Sequence, residues 1–97
     1  MAFAQRSITA GTSPGSDPIK VMVVDDAVVI RGLLTRWLGE DKSLKVVSSH
    51  RNGKLAVEDI EKSNPDVVVL DIEMPEMDGM TALPLMLAKK RDLVVIM

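Results

Sequence analysis

The hydrophobic residues of this chain form short, nearly unbroken runs, and longer segments of mixed polarity separate them. The densest runs cover residues 19–24, 67–70 and 93–97, and valine and isoleucine dominate them. A β-branched run with almost no polar alternation is typical of a strand that is covered on both faces, as in a parallel sheet. Together with a shorter strand at residues 44–48, these runs predict an α/β fold with a doubly wound parallel sheet.

The segments between the strands have the spacing of amphipathic helices. We expect the first helix to be capped by Asp25 or Asp26 and to end at a C-cap glycine, Gly39. The second helix is expected over residues 54–63, and the third from residue 80 to about residue 90. The buried face of the first helix is expected to hold Val29, Ile30, Leu33, Leu34, Trp37 and Leu38.

The two ends of the chain differ from its middle. Residues 1–18 are rich in Ser, Thr, Gly and Pro, and we interpret them as a disordered leader. Residues 19–97 form the predicted domain, which stops inside its fourth strand, so we expect it to be incomplete at its C-terminus. Because an apolar strand at a sheet edge favours pairing with another chain, we expect either a homodimer, through the exposed fourth strand or by exchange of an element, or aggregation.

Composition narrows the class of protein. A formal net charge of −2 gives no basic surface for nucleic acid, and no apolar run approaches the length of a membrane span. The chain has no cysteine, which excludes disulfides and thiolate metal sites and is compatible with the cytoplasmic location that we expect. His50 is expected in a polar turn at the surface, and Lys89, Lys90 and Arg91 form a predicted solvated helix end.

Acidic residues follow two of the predicted strands directly. Asp25 and Asp26 come after the first strand, and Asp71 comes after the third. Right-handed crossovers place the second and third strands on opposite sides of the first, and ligands of such sheets bind at this reversal. The carboxyl ends of parallel strands share one edge, so the three carboxylates should lie together and repel each other. Mg²⁺ prefers oxygen ligands and would relieve this repulsion, whereas helix capping alone would need only one acid of the pair.

The same residues resemble a known family. Asp25-Asp26, and Val-Val-Leu-Asp71-Ile-Glu73-Met-Pro75-Glu-Met-Asp78-Gly79 at the end of the third strand, are similar to the receiver (response-regulator) domain of bacterial two-component signalling. The resemblance covers residues 19–97 and implies a flavodoxin-like sheet of order 2-1-3-4-5. It further implies that a histidine kinase phosphorylates Asp71. The Mg²⁺ ligands that it implies are Asp26 and Asp71 directly, Asp25 through water, and Glu73 through its backbone carbonyl.

Within that family, the chain is similar to the receiver half of the chemotaxis protein-glutamate methylesterase. The residues that carry this likeness are Asp71-Ile72-Glu73-Met74-Pro75, Ala82-Leu83-Pro84 and the run from Lys89 to Met97. The likeness implies a chemotaxis-type histidine kinase as partner and a C-terminal esterase domain, which is absent from these 97 residues. Receivers also place a Ser or Thr just beyond the fourth strand and a Lys at the end of the fifth. Neither position lies within this chain, which implies slow phosphorylation.

Two other functions compete with this one. A Mg²⁺-dependent phosphohydrolase with an aspartyl nucleophile also places Asp at a strand end, usually as Asp-x-Asp. Here Asp71-Ile72-Glu73 puts Glu at the second acidic position, and that function does not explain the acid pair after the first strand. The third candidate is a pure interaction domain in which the acids have no role, and the combination of acid pair and acceptor argues against it.

Overall fold

The computed structural model describes residues 17–97, which form one parallel sheet with helices on both of its faces. The strands are β1 (Ile19–Val24), β2 (Leu44–His50), β3 (Val67–Leu70) and β4 (Val94–Ile96). The helices are α1 (Val28–Gly39), α2 (Gly53–Ser63) and α3 (Gly79–Lys89). Strands and helices alternate along the chain, as the hydrophobic pattern predicts.

The sheet has the order β2-β1-β3-β4, and each neighbouring pair of strands is parallel. β1 lies inside the sheet, and its last four residues, 21–24, are at most 3 % exposed. The chain therefore moves to one side of β1 when it forms β2 and to the other side when it forms β3. The doubly wound fold class is confirmed, and the reversal of strand order lies between β1 and β3.

Two hydrophobic clusters hold the helices against the sheet. On one face, α2 contributes Ala56 and Ile60, and α3 contributes Ala82 and Met86. They pack against alternate sheet residues, which are Met22, Val24, Val68 and Leu70. On the other face, Leu34 and Leu38 of α1 pack against the intervening residues, which include Val21, Val23, Val67 and Ile96. This period of two along each strand is what burial on both faces requires.

The first helix differs from its prediction at both ends and along its face. Its N-cap is Ala27 rather than an aspartate, and Gly39 is its last helical residue rather than a C-cap glycine. Trp37 is 58 % exposed and Val29 is 69 % exposed, so the predicted six-residue buried face was too wide. Only the narrow stripe that includes Leu34 and Leu38 contacts the sheet.

The other two helices begin at side-chain caps. The Asn52 side chain accepts a hydrogen bond from Leu55 N–H at 2.9 Å, and Asp78 accepts one from Thr81 N–H at 2.8 Å. Such caps satisfy backbone donors that the first helical turn leaves free. Asp78 is the N-cap of α3, and the helix begins and ends about one residue earlier than the predicted range of 80 to about 90.

The predicted leader falls mainly on residues 1–16, which lie outside the described residues. Asp17 and Pro18 precede β1 directly. The predicted division of the chain into a leader and a domain therefore stays a prediction.

Candidate metal and phosphoacceptor site

Three aspartates meet at the carboxyl edge of the two inner strands. Asp25 and Asp26 follow β1, and Asp71 follows β3. The register pairs Val24 with Leu70, and Asp71 N–H donates to the Val24 carbonyl at 2.9 Å, so the two strands end at the same level. One carboxylate oxygen from each aspartate lies within 4.8 Å of the others. The sequence predicted this convergence, and the topology produces it.

Three hydrogen bonds, two of the backbone and one of the side chain, fix the position of Asp25. Its N–H donates to the His50 carbonyl at 3.0 Å, and its own carbonyl accepts from Arg31 Nη1 at 2.7 Å. One oxygen of the side chain accepts from Ala27 N–H at 2.8 Å, so this carboxylate closes the turn into α1 as well as joining the cluster. Asp26 is exposed at the same edge. The two neighbouring acids thus have different surroundings.

The pKa of Asp71 is raised above its ordinary value. Burial is the largest cause, and the negative charge of Asp25 and then that of Asp26 add to it. Backbone N–H groups of Ile72 and Glu73 donate toward the carboxylate and lower its pKa in part. At a separation of 4.8 Å, two like charges repel by about 1 kcal/mol in water and about 3.5 kcal/mol at an effective dielectric of 20. A cation at this edge would therefore stabilise the ionised cluster.

An open cavity of about 780 Å³ lies over the acids, and the loop after β3 forms much of its wall. Its lining residues are Asp26, Asp71, Ile72, Glu73, Met74 and Pro75. Glu73 lies at this wall, but its carboxylate does not belong to the three-acid cluster found among residues 17–97. The donors brought together are hard oxygen atoms, which suit Mg²⁺ or a similar cation.

The loop between β3 and α3 is shaped by two unusual backbone positions. Glu76 has a positive φ of 66°, which is uncommon for a residue with a side chain. Gly79 has no positive φ. Instead, a Cβ atom at Gly79 would collide with the Asp71 carbonyl oxygen, and Gly79 N–H donates to the Ile72 carbonyl at 2.7 Å. This glycine allows the start of α3 to lie directly against the backbone that follows β3.

Two residues predicted at the solvated surface make specific contacts instead. His50 is the last residue of β2, and its Nε2 lies 2.8 Å from an Asp59 carboxylate oxygen. Lys90 Nζ donates to the Asn64 side chain at 2.8 Å and to the Pro65 carbonyl at 2.6 Å. Both contacts join elements that are distant in sequence, so no local pattern could reveal them.

A parallel sheet with this strand order and a carboxylate cluster at its reversal defines a class of signalling domain. Residues 21–97 match the family model of the response regulator receiver domain, and the chain belongs to this family. Its curated relatives include protein-glutamate methylesterases. Over the full chain it is 58 % identical to the protein-glutamate methylesterase/protein-glutamine glutaminase of group 2 operon from Bradyrhizobium diazoefficiens and 56 % identical to a protein of that activity from Nitrobacter hamburgensis. The chain spans 24 % and 26 % of those two proteins, respectively.

Solved structures agree with this assignment. The response regulator domain of Thermotoga maritima CheB superposes with a TM-score of 0.74 at 38 % identity, covering 80 % of this chain and 57 % of that one. The CheX-CheY-BeF₃-Mg complex from Borrelia burgdorferi gives a TM-score of 0.76 at 29 % identity, covering 89 % and 66 %. These matches favour a receiver over the phosphohydrolase alternative. Within the part of the chain that the structure describes, none of the helices has the length and apolar character of a membrane span.

Proposed function

We propose that this domain accepts a phosphoryl group on Asp71 and that it is the regulatory part of a chemotaxis protein-glutamate methylesterase. The observation that carries the proposal is the position of Asp71 at the end of β3, facing the acid pair after β1, in a chain of the receiver family. The phosphoryl donor would be a histidine kinase of the chemotaxis type, and the transfer would take place in the cytoplasm. The resemblance to methylesterase receivers supports both statements.

Mg²⁺ is the cofactor that fits this donor set. We assign Asp26 and Asp71 as direct ligands, Asp25 as a ligand through water, and the Glu73 backbone carbonyl as a further ligand. The three carboxylates support this assignment because they lie close enough to share one ion, and burial and like charges oppose the ionisation of Asp71. When bound, Mg²⁺ would offset the negative charge of the cluster and of an incoming phosphate.

The chain's own groups would then perform the transfer. A carboxylate oxygen of Asp71 forms a bond to phosphorus while the phosphorus–nitrogen bond of the kinase phosphohistidine breaks, and the imidazole leaves with the electron pair. The N–H groups of Ile72 and Glu73, which donate toward the Asp71 carboxylate, hold it in position for attack. Positioning and charge stabilisation are the main sources of rate in phosphoryl transfer.

The test combines a Mg²⁺ titration with treatment by acetyl phosphate. We expect Mg²⁺ affinity in the sub-millimolar to millimolar range and a mass increase of one phosphoryl group on Asp71. Asp26→Asn should weaken Mg²⁺ binding by roughly tenfold or more, since it removes a charge and replaces a carboxylate ligand with a neutral amide. Glu58→Gln is the matched control, because it removes one negative charge from α2 at an exposed position.

The outcomes separate the candidate functions. Full phosphorylation of Asp71→Asn would exclude Asp71 as the acceptor. Turnover of phosphomonoesters would instead indicate the phosphohydrolase. A protein that binds no Mg²⁺ and gains no phosphoryl group would be an interaction domain only.

We also propose that the 97-residue chain forms a homodimer through β4. In the described residues, β4 pairs with β3 alone, and Met97 beyond it is 39 % exposed. An apolar strand with one unpaired side is a template for a second strand. Light scattering over a range of concentrations tests this proposal, and a mass of 10.6 kDa at every concentration would contradict it.

A further inference from the structure

The junction between β2 and α2 runs from His50, the last residue of the strand, to Gly53, the first residue of the helix. It contributes no carboxylate to the acidic site, but it is hydrogen-bonded to both sides of that site. The His50 carbonyl accepts from Asp25 N–H at 3.0 Å. Gly53 N–H donates to the Met77 carbonyl at 3.1 Å, within the loop that joins β3 to α3. This junction therefore contacts the acid pair on one side and the loop between β3 and α3 on the other. We call that loop, residues 71–78, the Met77 loop.

The contact at Gly53 leaves no room for a side chain. Gly53 is buried, and a Cβ atom there would lie 2.5 Å from the Met77 carbonyl oxygen and 3.0 Å from Ala82 Cβ. Gly53 has no positive φ, so the constraint is space rather than backbone strain. A larger residue at this position must push the Met77 carbonyl away or separate α2 from α3.

The neighbours of Gly53 hold it in place. Asn52 is 2 % exposed, and its side chain accepts from Leu55 N–H, which fixes the first turn of α2. His50 is joined to Asp59 of α2 at 2.8 Å, so the end of β2 and the body of the helix are tied together. A clash at Gly53 is therefore expected to displace the Met77 loop rather than α2.

The Met77 loop is itself compact. Met77 N–H donates to the Pro75 carbonyl at 2.7 Å, and Gly79 N–H donates to the Ile72 carbonyl at 2.7 Å. Ile72 and Pro75 line the same cavity as Asp71. A displacement of Met77 would therefore move the wall of the acidic site.

We propose that Gly53 is a positioning residue of the acidic site. Its N–H and its lack of a side chain set the place of the Met77 carbonyl and, through the loop, the backbone of Ile72 and Glu73 beside Asp71. The expected effect of Gly53 on Mg²⁺ binding rests on the proposed function. Its effect on the backbone of Ile72 and Glu73 does not, because it can be measured in metal-free protein.

The experiment compares Gly53→Ala with Gly32→Ala in the full 97-residue chain. Gly32 is the matched control, because a Cβ atom there meets nothing within 4 Å. We expect Gly53→Ala to shift the backbone amide resonances of Ile72 and Glu73 in metal-free protein and to lower Mg²⁺ affinity by roughly tenfold. Gly32→Ala should change neither quantity.

Each outcome decides the proposal. If Gly53→Ala lowers the melting temperature but leaves the Ile72 and Glu73 resonances and the Mg²⁺ affinity unchanged, Gly53 is only structural and the proposal is wrong. If wild-type protein binds no Mg²⁺, the proposed function fails, and the metal-free resonances still decide the positioning role. If Gly53→Ala does not fold, Mg²⁺ titration of wild-type protein replaces it. The Gly53 and Met77 amides should then shift with the same midpoint as Ile72, and unchanged amides would overturn the proposal.

Discussion

Replacing Asp71 with Asn should stabilise the metal-free protein. The substitution keeps the size of the side chain and removes one of three clustered negative charges. Burial, followed by the charges of Asp25 and Asp26, raises the pKa of Asp71 in the folded state. A raised carboxyl pKa favours folding below the ordinary pKa, and this stabilisation is lost as the pH rises through the folded value. At neutral pH the ionised Asp71 therefore lowers the free energy of unfolding.

The expected gain follows from the separation of the acids. Oxygen atoms within 4.8 Å repel by about 1 kcal/mol per pair in water, and burial increases this value. Because Asp71 is half-buried and Asp26 is exposed, solvent screens much of the repulsion, and we expect a net gain of about 1 kcal/mol. For a domain of this size, that corresponds to a rise in melting temperature of roughly 5 °C.

Urea and thermal denaturation with and without Mg²⁺ measure the effect. Mg²⁺ at 100 times its dissociation constant stabilises the folded wild type by about 2.7 kcal/mol, whereas Asp71→Asn should gain much less, so the order of stability should reverse. Glu58→Gln, at an exposed position of α2, controls for the removal of a negative charge elsewhere. If Asp71→Asn is less stable than wild type without metal, or if Mg²⁺ stabilises both equally, the reasoning about the acid cluster is wrong.

Three further predictions concern residues of α2 and its N-cap, which support the site without contacting the acids. Ile60→Ala should lower the free energy of unfolding by about 2–5 kcal/mol in urea denaturation, because Ile60 is only 1 % exposed and the change leaves a cavity. Asn52→Ala should cost about 1–2 kcal/mol by the same measurement, because it removes the hydrogen bond to Leu55 N–H, whereas Asn52→Asp should retain most of the stability. Burial raises the pKa of Asp59, but hydrogen bonds and the charge of His50 outweigh burial and lower it overall. The stability from Asp59 is therefore present above the ordinary carboxyl pKa of about 3.9 and is lost as the pH falls through the lowered value, so Asp59→Asn should reduce the loss of stability in this acid range.

The acid cluster was predictable because each step toward it is local or topological. The β-branched runs identify strands, the acids end those strands, and right-handed crossovers bring the two strand ends to one edge. The structure places Asp25, Asp26 and Asp71 within reach of one ion, as that reasoning requires. The loop residues around Glu73 were identified from the family resemblance, since their spacing alone predicts only a turn.

Hydrophobic periodicity predicted the position of α1 but not which of its apolar residues are buried. Its apolar residues share one face, but burial depends on how much of that face meets the sheet. Leu34 and Leu38 contact the sheet, whereas Trp37 and Val29 remain exposed in the described structure. The pairing of His50 with Asp59 was missed for a related reason: it depends on the packing of a helix against a strand, and neither residue type signals it in sequence.

The roles of Gly53 and Gly79 also depend on packing. The role of Gly79 is close approach to the Asp71 carbonyl and not a positive φ, which is found at Glu76 instead. Sequence can mark a position where a side chain is unwelcome, but only the packed structure tells which backbone atom occupies the space. Gly53 and Gly79 each bring a backbone segment against the loop that borders the acids. Since ionised Asp71 opposes folding of the metal-free protein, the geometry of the site must come from such neutral contacts.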